Sequence, residues 1–93
     1  MDQLARAIEE LHDATALWEA TVRVRQTFGR HVVFEDKVQM FRLLGHPSAQ
    51  RCFAWQSETE PGKKETHIVL RIPPVDSAED AVRSVIAQSR TAL

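Results

Sequence analysis

From Trp18 to Phe28 the chain alternates in polarity. Trp18, Ala20, Val22, Val24, Gln26 and Phe28 share one parity, and Glu19, Thr21, Arg23, Arg25 and Thr27 share the other. A β-strand turns successive side chains to opposite faces, so this spacing makes one apolar face and one wet, partly basic face. It predicts the opening strand of an antiparallel sheet whose helices cover one side. A helical alternative competes with it. Leu4, Ile8, Leu11, Thr15, Trp18 and Val22 keep a four-three spacing, with Gly29 placed as a helix C-terminal glycine. A helix over residues 2–28 would be about 40 Å long and would have to protrude and pair with a partner. The β-branched Thr21, Val22, Val24 and Thr27 favour the strand, as does Arg25, which would fall on the helical seam.

The rest of the chain supplies partners for that strand. Leu4, Ala7, Ile8, Leu11, Ala14 and Leu17 form an amphipathic stripe, predicting a helix over 2–17. Val32–Leu44 carries apolar residues on both parities: Val38, Met40 and Leu44 on one, Phe41 and Leu43 on the other. Gly45-His46-Pro47-Ser48 reads as a turn and Arg51–Ser57 as a strand. Ser57–Glu65 is expected to be an exposed loop, followed by a strand over Glu65–Ile72 that Pro73-Pro74 stops. A final helix begins at a capping box, Asp76 with Glu79 or Ser77 with Asp80, and buries Ala78, Ala81, Val82, Val85 and Ile86. The expected fold is an α+β two-layer sandwich. An antiparallel sheet of three or four strands carries the N-terminal and C-terminal helices on its apolar face.

A chain of 93 residues makes one domain with a modest core. Twelve Lys+Arg against 13 Asp+Glu leave a net charge of −1, which removes the bulk attraction of a general nucleic-acid binder and leaves room only for a local patch. The single cysteine, Cys52, excludes an internal disulfide and points to the reducing cytoplasm. The opening residues include Asp2, Glu9, Glu10 and Asp13 without a continuous apolar core, unlike a signal peptide. No run approaches the roughly 20 apolar residues of a membrane span, so no membrane partner is expected.

Chemistry-bearing patterns are sparse. Cys52 with His46 is the one nucleophile-and-base pairing on offer, and a catalytic thiol needs an imidazole or cation to hold its thiolate. The strand context beside Phe53 favours an inert buried thiol instead. His12, His31, His46 and His67 lack zinc-ligand spacing, and glycines at 29, 45 and 62 are too far apart for a phosphate loop. No cofactor, metal or enzymatic activity is expected. A helix–three-strand–helix order resembles the topology of double-stranded-RNA-binding domains. Those domains open their last helix with lysines, whereas this chain has Val75-Asp76-Ser77-Ala78-Glu79-Asp80, which would repel phosphate.

Two functional readings lead, with a thiol enzyme using Cys52 as a third. The first is a protein-interaction module, most simply a homodimer, using an exposed surface around Arg23, Arg25, Phe34, Met40, Phe41 and Arg42. The second is nucleic-acid binding through a basic sheet face carrying Arg23 and Arg25 together with the Lys63-Lys64 loop. Trp18, sharing parity with Val22 and Val24, is expected in the core rather than on that face.

Overall fold

The structure, a computed structural model, describes residues 2–91. In chain order it contains α1 (Asp2–His12), β1 (Thr15–Phe28), β2 (His31–Leu44), β3 (Arg51–Glu60), β4 (Lys63–Leu70) and α2 (Ala78–Thr91). The α+β class, the single antiparallel sheet and the two terminal helices are those expected from the sequence, with four strands rather than three.

The first helix ends sooner than its apolar stripe suggests. Asp13 adopts a left-handed conformation (φ 51°), and its N–H bonds the Glu9 carbonyl at 2.9 Å, closing the helix as a C-terminal glycine would. Strand β1 therefore begins at Thr15, and Leu17 passes from the expected helix into the sheet. The Glu9 carboxylate then accepts the Ala16 N–H at 3.0 Å, tying helix to strand. Ala16 is buried, so its amide has little access to water as a replacement. Glu9→Ala should lower stability by about 1–2 kcal/mol. Glu9→Gln, which keeps an acceptor oxygen, should lose less. Urea midpoints at constant m-value measure both, and an unmoved midpoint for the alanine variant would refute the assignment.

The strands follow one another in space, β1-β2-β3-β4, each antiparallel to the last. Two tight turns set this up. Phe28 pairs with His31 around Gly29-Arg30, with Gly29 at φ +62° in the first turn position, the arrangement of a type II′ hairpin. Pro61-Gly62 joins β3 to β4 with Gly62 at φ +82°, as a type II turn requires, and its N–H donates to Glu58 Oε1 at 2.9 Å. That turn converts most of the expected 57–65 loop into strand. Polar composition had marked exposure there, not irregularity.

Pairing is uneven. β1 and β2 pair along their whole lengths, as do β3 and β4, but β2 meets β3 only through Gln39–Arg42 against Arg51–Ala54. The sheet is thus two long hairpins joined at a short seam.

Each face of the seam carries its own core. Phe41, Leu43, Cys52 and Ala54 point to one side and pack with Ile8, Leu4 and Ala5 of α1. Val38, Phe53 and Trp55 point to the other and pack with Ala78, Ala81 and Val82 of α2, joined there by Val22 and Val24. The helices therefore lie against opposite faces instead of sharing one. The apolar residues on both parities of β2 are the physical reason, since each set needs its own cover. Of the two capping boxes, the chain uses the second: Asp80 N–H donates to Ser77 Oγ at 3.2 Å, while the Asp80 carboxylate accepts the Asp76 N–H at 3.1 Å.

The largest departure concerns Trp18. A bulge between Trp18 and Ala20 reverses the alternation, so Trp18 pairs with Phe41 while Ala20 pairs with Met40. Trp18 consequently lies on the same face as Thr21, Arg23 and Arg25 and is 50% exposed. Its Nε1–H donates to Gln39 Oε1 at 2.9 Å, an oxygen that also accepts the Thr21 hydroxyl at 2.6 Å.

Candidate interaction groove

A four-stranded open sheet has two outer edges, and here they differ. In an antiparallel ladder, residues alternate between facing their partner strand and facing away from it. The Arg71 N–H bonds the Arg51 carbonyl at 2.9 Å, so residues 65, 67, 69 and 71 face β3. Lys64, Thr66 and Ile68 therefore turn both N–H and C=O outward. The same count on β1, continued from the Leu43 N–H to Gln50 carbonyl bond, turns Thr21, Arg23 and Arg25 outward.

β4's outer edge forms the floor of a groove of about 650 Å³. Leu11 and His12 at the end of α1 border it on one face, and Ser84, Val85 and Gln88 of α2 border it on the other. Ile68, Val69 and Leu70 contribute half-buried apolar surface, and Ile72 closes one end. An exposed strand edge beside a helix is the geometry that captures an extended segment as an added strand, backbone bonds giving affinity and side-chain pockets specificity.

A second cleft, about 390 Å³, opens where the hairpins part beyond the seam. Glu35, Asp36 and Glu58 line it together with Lys64 and Phe34. Among the described residues no set of three His, Cys, Asp or Glu side chains is gathered closely enough to hold a metal ion, and no helix is long and apolar enough to cross a membrane.

No protein-family model, curated protein or solved structure matches this chain.

The surface expected around residues 23–42 divides. Phe41 has no exposed surface and lies beneath α1, while Phe34 and Met40 are half-buried on the α2 side, with Phe34 edge-on to Trp55 at 5.9 Å. These three serve the core, which needed more large side chains than one face of the sheet could supply. Arg23, Arg25 and Arg42 are exposed. Arg42 stands near the Glu19–Arg51 pair, whose 2.7 Å contact holds the Glu19 carboxyl below the usual carboxylate range.

The proposed basic face is also divided. Arg23 and Arg25 lie on β1 while Lys63 and Lys64 lie on β4, at the opposite edge of the sheet. Carboxylates interrupt the set: Arg25 pairs with Glu35 at 3.6 Å and Lys63 with Glu60 at 3.4 Å.

Cys52 is fully buried, and burial pushes its thiol up to about 12. His46 Nδ1 accepts the backbone N–H groups of Ser48 and Ala49 at 3.1 and 3.0 Å, and the ring meets His12 edge-on at 5.4 Å. That nitrogen organises the 45–50 turn. Burial, and secondarily the neighbouring His46, lowers the pKa of His12.

Sequence reasoning missed the groove, although part of it was readable. Short connections between successive strands make a meander, and a meander always leaves its first and last strands at the edges. What no pattern announced was that α1 and α2 would stand on opposite sides of the last strand.

Proposed function

We propose that this protein is a non-enzymatic interaction module that associates with a second copy of itself. The observation that carries the proposal is the outward-facing edge of β4 set in a groove between two helices. Such an edge is a template for another strand. Leu11, at 64% exposure, and Ile72, at 38%, stand at the margins of that groove, and a partner would cover them. The single cysteine, held as a buried free thiol, supports a cytoplasmic setting.

A second reading has one specific observation in its favour. The bulge that exposes Trp18 places an aromatic on the face of Arg23 and Lys37, an elementary platform for stacking a base beside cations. The mixed charges nearby make it the weaker of the two.

One experiment separates them: size-exclusion chromatography with light scattering on freshly purified protein, at low and high salt. The expected result is a mass near twice the chain's 10.6 kDa, without bound nucleic acid. A monomer at high micromolar concentration would refute self-association. Copurifying nucleic acid that high salt removes would bring the second reading forward.

A further inference from the structure

We infer that the two copies join edge to edge through β4, antiparallel, about a two-fold axis at Ile68; this rests on the self-association proposed above. The choice of edge comes from how the edges are guarded. β1 carries a bulge, and two of its outward residues, Arg23 and Arg25, are cations, devices that discourage strand addition. β4 has neither bulge nor charge over Thr66–Leu70, and its outward residues there are Thr66, Ile68 and Leu70, the last with its carbonyl already accepting the Ile72 N–H at 2.9 Å.

The choice of register comes from hydrogen-bond parity and charge. A two-fold axis must pass through an outward-facing residue if the outward groups are to bond one another. At Lys64 it would set two lysines face to face. At Thr66 it would oppose Lys63 and Lys64 to Val69 and Ile68. At Ile68 it pairs Ile68 with itself, His67 with Val69, Thr66 with Leu70, and Glu65 with Arg71. The last pair occurs twice, once at each end, so opposite charges bracket an apolar centre. Arg71 donates to Asp76 at 3.0 Å, and its planar five-donor fork retains capacity for a second carboxylate. The groove margins then bring Leu11, Ile72 and Val85 of each copy toward the joint.

The test uses the full chain and exposed positions. Either Glu65→Arg or Arg71→Glu alone sets like charges opposite each other and should raise the dimer dissociation constant about tenfold or more. The double variant restores opposite charges and should return the constant to within about threefold of the starting protein, a rescue that only facing residues give. Thr66→Pro removes an outward N–H that the fold itself does not use and should also dissociate the dimer, with circular dichroism confirming retained structure. A wild-type monomer would overturn the self-association itself. A dimer indifferent to all four variants would overturn the β4 joint alone, as would single variants that dissociate it without rescue in the double.

Discussion

Phe41→Ala should cost about 3–5 kcal/mol of stability, the range for removing a fully buried aromatic ring from a core. Phe41 has no exposed surface and is the largest fully buried side chain described. It stands in the only stretch of β2 that pairs on both sides, opposite Trp18 on β1 and Cys52 on β3. Its cluster under α1 mixes small side chains, Ala16, Ala49, Cys52 and Ala54, with the aliphatic Ile8, Leu43, Leu4, Ile68 and Leu70. The alanines cannot reach into the space a phenyl leaves and the aliphatic side chains can fill only part of it, so a residual cavity adds to the lost transfer energy. Native domains hold only about 5–15 kcal/mol in total, so this change consumes much of the reserve. A urea titration should show the midpoint falling at constant slope, and a midpoint within experimental scatter of the wild type would mean that α1 does not seal this face.

Cys52 should resist thiol reagents in the native protein. With its pKa pushed to about 12, against roughly 8.5 for a free cysteine, its thiolate population at neutral pH falls by about three orders of magnitude. Fully buried, the sulfur is also shielded from the reagent itself. Modification should be slow in buffer and complete promptly in denaturing urea, with the native rate following the opening of the fold. Rapid native labelling at neutral pH would return a reactive thiol to consideration and weaken the non-enzymatic proposal.

The sequence carried the element types well and their placement poorly. Alternation over 18–28 identified β1 because β-branched residues and a period of two agree there. The capping residues around Ala78 placed α2 because both candidate boxes, Asp76 with Glu79 and Ser77 with Asp80, start the helix within one residue of each other. Trp18 escaped because a bulge leaves no signature in a string of residues: one extra position reverses every parity before it. The alternation over 18–28 implies a single apolar face and so predicts both helices on one side. The doubled parities of residues 38–44 and 52–55 recorded two cores, and only three-dimensional pairing divided them between α1 and α2. The candidate residues fared by the same logic. Arginines announce exposure reliably, whereas Phe34, Met40 and Phe41 look alike whether they meet a partner or a helix of their own chain.

The short seam between β2 and β3 is where the sheet has the fewest ladder bonds to hold it. Each hairpin keeps its own ladder, so bending at the seam leaves the ladder within either arm intact. Both helices span the divide: α2 rests on Val24 and Val38 of one arm and on Phe53 and Trp55 of the other, and α1 rests on Phe41 and Leu43 of the first and on Cys52 and Ala54 of the second. The two act as straps, one on each face, that set the angle between the arms. With both loosened the arms become separate cooperative units, and they should part before either comes undone.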